Sequence, residues 1–159
     1  MNRHLQHTIT YRSLTLAFLF VVTLTMSAQW AAAPQEAAVP AYNAAPPPKG
    51  AKQAAILTKA DLWGDDARFS YQTHAYELAA KISNVLHQQP CYCFCDRMGH
   101  NSLRTCFEGT HGAKCSVCLR ELYYSYQQNK SGKTAAQIRA GIIAGEWKQI
   151  DLQTASDIN

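Results

Sequence analysis

Apolar residues recur three or four apart in the second half of the chain. In "SYQTHAYELAAKISNVLHQQP" Leu78, Ile82, Val85 and Leu86 share one helical face and Pro90 closes the pattern, so the spacing predicts a helix over His74–His87. A second stripe, Leu119, Leu122, Tyr123 and Tyr126, predicts a helix from Ala113 through "KCSVCLRELYYSYQQNK". "KSGK" breaks it. Thr134, with Gln137 three residues later, then has the capping-box pattern that opens a third helix, whose buried face carries Ile138 and Ile142. Trp147 is placed to close the core after Gly145. Between the first two helices "CYCFC" alternates, which in an extended segment sets three sulfurs on one edge and Tyr92 and Phe94 on the other. "DRMGHNSLRTCFEGTHGAK" is rich in glycine and reads as loop, with one short turn over 102–107. No repeat and negligible strand content are visible. The expected fold is mostly α: a small three-helix domain over 61–151 with an irregular cysteine-rich loop and a flexible tail at 152–159.

The first part of the chain has a different texture. Arg3 and Arg12 flank a basic start, and "LTLAFLFVVTLTM" is an apolar run short for a membrane span, followed by small residues. Residues 1–28 therefore read as a signal peptide, or alternatively as an uncleaved anchor in the inner membrane. Residues 29–60 are dominated by alanine and proline and cannot bury enough apolar surface to offset their ordering entropy, so a disordered tether is expected. The domain is therefore expected to be exported to the periplasm, free or anchored in the inner membrane and facing it.

Charge adds an exclusion. The formal net charge is +4, and Arg3 and Arg12 lie in the leader, so the remainder carries about +2 with interspersed signs. No basic face for nucleic acid results, and a partner would be a metal ion or a redox protein.

All six cysteines, Cys91, Cys93, Cys95, Cys106, Cys115 and Cys118, fall in one window with His100 and His111. Three chemistries suit them. A thiolate metal site is the first: Cys115-Ser-Val-Cys118 puts two sulfurs on one side of a helix's first turn, and the "CYCFC" thiols supply the other half once that segment curls. Soft sulfur ligands select Cu(I) or zinc, and spacing does not separate the two. His100 and His111 are candidate ligands or proton donors from the intervening loop. Asp96 could orient a histidine, and Met98 is a thioether in the same loop. The second chemistry is thiol–disulfide exchange through Cys115 and Cys118 at a helix start, where thiolate is favoured, although no strand precedes the motif as in thioredoxin. The third is a structural module stapled by three disulfides, allowed by the even count and the exported, small domain. Nothing in the sequence suggests a hydrolytic triad or a phosphate loop, and an enzymatic role is left open only for redox chemistry.

"PCYCFCDRMGHNSLRTCF…HGAKCSVCLRE" resembles the exported bacterial proteins named for a Pro-Cys-Tyr-Cys-Gly-Cys motif, also described as the CYCXC family of proteins and selenoproteins. The likeness runs from about Tyr76 to Trp147 and takes in all six cysteines, Gly99-His100, Cys106-Phe107 and His111, and "GKTAAQIRAGIIAGEW" is similar to that family's closing helix. The family is essentially uncharacterised. The resemblance implies a secreted or membrane-attached protein; many members are lipoproteins, and this chain lacks the lipobox cysteine. It also implies a tight bend at a glycine position that Phe94 occupies here. Some members carry selenocysteine in the motif, which implies a site where the chalcogen reacts or binds a soft metal.

Overall fold

The computed structural model describes residues 38–159. The expected signal peptide or anchor, and the start of the expected tether, lie outside the described residues. No described helix is long and apolar enough to cross a membrane.

The chain is helical, and among the described residues there is no strand. The described residues form five α-helices, α1 (Ser70–Lys81), α2 (Ser83–Leu86), α3 (His111–Lys114), α4 (Ser116–Lys130) and α5 (Ala135–Ile143), linked by loops and short 3-10 turns. Helix α4 is the hub: α1, α2, α3 and α5 all pack against it. Its stripe is the predicted one, with Leu119, Leu122, Tyr123 and Tyr126 buried beside Tyr76, Leu78 and Leu86. Ile138, Ile142 and Trp147 bury with Tyr124 in a second cluster on the other side of α4. Burying each such large side chain is worth about 1.5–3 kcal/mol, so these two clusters carry the fold.

Each long predicted helix is in fact two. The first starts earlier than expected, at Ser70, and breaks at Ile82 (φ −118°, ψ 26°) before α2. The second breaks at Cys115 (φ −106°, ψ 109°), which becomes the N-cap of α4. The third begins as expected: the Thr134 N–H donates to Gln137 Oε1 at 2.9 Å and the Gln137 N–H to Thr134 Oγ1 at 3.3 Å.

The unit is larger than 61–151. It spans Val39–Asn159. The expected tether, from Val39 on, lies against the domain: Pro40 is buried, Ile56 and Leu57 pack on the core, and the Leu57 N–H donates to the Phe107 carbonyl at 3.0 Å. Arg104 fastens this segment by donating from Nε to Ser83 Oγ (2.8 Å), from Nη2 to the Ala54 carbonyl and from Nη1 to Glu108. At the other end Leu152 and Ala155 are buried in the main core, so 152–159 is no free tail. Composition missed both because a few apolar residues, correctly spaced, suffice to dock a short segment on an existing core.

Helix α3 is placed by α1. Gln72 is buried and donates from Nε2 to the Ala113 and Asp65 carbonyls, 2.9 Å each. The Tyr76 hydroxyl donates to the Gly109 carbonyl (2.7 Å) and accepts the Ala113 N–H (3.1 Å). A Cβ on Gly112 would stand 2.8 Å from the Cys106 carbonyl oxygen and 3.0 Å from the Phe107 ring. Glycine there lets the backbone of α3 approach the turn that carries Cys106.

Candidate metal centre

"CYCFC" is folded back on itself. The Phe94 N–H donates to the Cys91 carbonyl at 3.0 Å, closing a turn, and Phe94 adopts φ 55°, ψ 35°. That is left-handed backbone, where glycine sits without strain and another residue costs about 1–2 kcal/mol. The bend implied by the resemblance is therefore present with a phenylalanine in it, its ring edge-on to Tyr92 (6.0 Å between centroids) and under the Arg97 guanidinium (5.5 Å). The extended arrangement with three sulfurs on one edge is not formed. The nearest sulfur partners differ along the turn: Cys91 and Cys93 lie against Cys118, at 3.4 and 3.6 Å, while Cys95 lies against Cys106 at 3.2 Å.

Four elements bring the ligands together. The 90–95 turn supplies three sulfurs, the 3-10 turn Leu103–Phe107 supplies Cys106, α3 supplies His111, and the start of α4 supplies Cys115 and Cys118. The preceding residue Gln89 anchors the turn: it is buried, its Nε2 donates to the Val85 and Ala135 carbonyls (2.9 and 3.2 Å), and its carbonyl accepts the Leu103 N–H at 2.9 Å.

All six cysteines are free thiols, and the closest sulfurs, Cys95 and Cys106, are 3.2 Å apart against the about 2.05 Å of a disulfide. Three sets of four side chains have ligand atoms that all lie within 4.8 Å of one another: Cys91/Cys93/Cys106/Cys118, Cys93/His111/Cys115/Cys118 and Cys93/Cys95/Cys106/His111. Each could hold a metal ion. A tetrahedral zinc with arms of about 2.3 Å would space its sulfurs about 3.8 Å apart. The Cys91–Cys93, Cys91–Cys118 and Cys93–Cys118 separations of 3.3, 3.4 and 3.6 Å are close to that. Cys93 Sγ is also 3.7 Å from His111 Nε2.

The histidines divide. His111 belongs to two of the sets; His100 belongs to none, although its Nδ1 is 3.4 Å from Cys106 Sγ and its ring stands edge-on to His111 at 5.4 Å. Asp96 touches neither, its carboxylate accepting the Arg97 and Ala41 N–H groups at 2.9 and 3.3 Å, and Met98 points to solvent.

Burial is graded across the cluster. Cys91, Cys95, Cys106 and Cys118 are buried, whereas Cys93, Cys115 and His111 are half-buried, so the sulfurs open to solvent on one side. The recess beside Cys91 and Cys95, walled by Pro40, Ala41 and His100, has no room for a water molecule. Hydrogen bonds with neighbouring thiols, Cys106 first, hold Cys93 well below the ordinary thiol range and bring Cys95 down to about 4. Cys91 and Cys118 are pushed up, with Cys106 again the first partner.

Glu121 is the residue that the sequence reading missed. It is wholly buried on α4, its Oε1 accepts the Tyr92 N–H at 2.8 Å, and its Oε2 has no partner. Burial pushes its carboxyl up to about 8. Its hydrogen bond pins the middle of the cysteine turn to the helix that carries Cys118. A signal was present: Cys115, Cys118 and Glu121 are successive threes along one helix, hence on neighbouring faces.

A family model described as a protein of unknown function with PCYCGC motif matches residues 65–150. No curated protein and no solved structure matches the chain.

Proposed function

Since this chain belongs to the PCYCGC-motif family, whose function is unknown, we propose its role from the cluster itself: it binds a soft metal ion, Cu(I) or zinc, through thiolates and His111. The observation that carries the reading is the convergence of six sulfurs and one imidazole from four separate elements into overlapping four-ligand sets. Disulfide staples need sulfurs in isolated pairs; a shared cluster is what a polarising cation organises. The site's one open side, at Cys93, Cys115 and His111, suits loading or release by ligand exchange with a carrier. The apolar leader over 14–26 supports work outside the cytoplasm, where bound metal would also shield the thiols from oxidation.

A second reading, thiol–disulfide exchange, is favoured by the Cys95–Cys106 contact at 3.2 Å rather than by the helix-start pair, Cys115 and Cys118. Small movements would close that pair into a bridge.

Purification of the full chain from the exporting host without reductant, followed by native mass, bound-metal content and thiol counts, separates these readings. Copper or zinc that survives buffer exchange, with thiols that react only after chelation, is the expected result. A metal-free protein lighter by two hydrogens per bridge would reject metal binding, and a single reversible bridge between Cys95 and Cys106 would favour redox exchange.

A further inference from the structure

Cys93 belongs to all three ligand sets, which no single tetrahedral ion requires. The three sets cannot all be filled at once. A neutral imidazole has one lone pair to give, so the two sets that share His111, Cys93/His111/Cys115/Cys118 and Cys93/Cys95/Cys106/His111, exclude each other. A thiolate has lone pairs enough to bridge two ions. The sets Cys91/Cys93/Cys106/Cys118 and Cys93/His111/Cys115/Cys118 share only two sulfurs, Cys93 and Cys118, and these lie 3.6 Å apart, near the about 3.8 Å edge of a zinc–thiolate tetrahedron. Two tetrahedra joined along that edge use six side chains, each with one atom in place.

Charge points the same way. One divalent ion among four thiolates keeps two surplus negative charges in a buried site, which is costly. A second divalent ion, brought with the Cys115 thiolate and the neutral His111, reduces the surplus to one. Resting on the metal-binding reading above, we infer that the cluster is a dinuclear centre for divalent thiophilic cations: Cys93 and Cys118 bridge, Cys91 and Cys106 complete one ion, and Cys115 and His111 complete the other. The first ion sits on the buried side and the second on the half-exposed side, so the second exchanges faster.

The test is titration of the full, reduced, metal-free chain with zinc and with cadmium, read by native mass and by cadmium NMR. Two ions per chain, with the two cadmium signals coupled through a shared sulfur, are expected. The C115S variant, altered at a half-exposed position, should bind one ion with its far-UV helix signal intact, and C95S should still bind two. A wild-type limit of one ion would overturn the dinuclear centre while leaving metal binding in place. Binding of no ion would overturn both. Retention of two ions by C115S together with loss of one by C95S would move the bridge from Cys93–Cys118 to Cys93–Cys106 and overturn the assignment made here.

Discussion

The helix-borne half of the cluster and the turn-borne half are held by different means. Cys115 and Cys118 stand at the cap and first turn of α4, the element on which the rest of the core packs, so their positions follow from the core. Cys91, Cys93 and Cys95 sit on a turn with a left-handed phenylalanine; Cys91 and Cys95 bury in the same core as Cys118, but the backbone of the turn is fixed by the Phe94–Cys91 bond, the Gln89 anchors and the Tyr92 bond to Glu121. The helix half is pre-organised by hydrophobic burial. The turn half depends on a buried carboxyl that has only one partner, and a bound cation would add the restraint it lacks.

The largest expected effect sharpens that difference at Glu121. Its folded carboxyl, raised to about 8, keeps a proton that the unfolded chain has already released. From about pH 4.3 to about 8 the wild type should therefore lose stability relative to E121Q by about 1.4 kcal/mol per pH unit, with the difference constant outside that window. Urea unfolding of the reduced, metal-free proteins across pH measures it, and a flat difference would mean that Glu121 ionises normally.

Next, Leu122→Ala removes a fully buried side chain from the helix half and should cost about 2–5 kcal/mol, lowering the urea midpoint of the whole unit. Should the turn half be an independent lobe, metal binding would outlast that loss. Gly112→Ala pushes α3 away from the Cys106 carbonyl and should cost about 1–3 kcal/mol, with a larger proportional loss in metal affinity than L122A because it separates ligand-bearing segments. Competition with a chromophoric chelator reads that affinity. Phe94→Gly should do least. It relieves left-handed strain of about 1–2 kcal/mol but frees the unfolded chain and deletes the ring contacts with Tyr92 and Arg97, so its unfolding free energy should change by less than about 1 kcal/mol with metal stoichiometry unchanged.

The same division explains what could be read from the chain alone. The α4 stripe, the Thr134 cap and the helix-ending Pro90 are local patterns, and spacing exposes local patterns. The family resemblance, carried by the cysteine spacing, also holds. The shape of "CYCFC" is not local: alternation suggested extension, whereas the Tyr92 N–H is taken by a carboxyl 29 residues away. In "CLRELYY" the spacing of Glu121 from Cys115 and Cys118 places it near the site, but only the folded neighbourhood shows it buried. Ile82 and Cys115 continue the apolar periodicity across helix breaks that backbone geometry, not hydrophobicity, decides. Ile56, Leu57, Leu152 and Ala155 were hidden for another reason, since they are isolated apolar residues in polar or alanine-rich surroundings that dock only because a core exists elsewhere.

The most direct test of the metal centre is X-ray absorption at the copper and zinc edges of the full chain as isolated. A first shell dominated by sulfur at about 2.3 Å is predicted, with a minor nitrogen contribution from His111. A shell of oxygen and nitrogen alone, or an absorption edge no larger than in buffer, would contradict it.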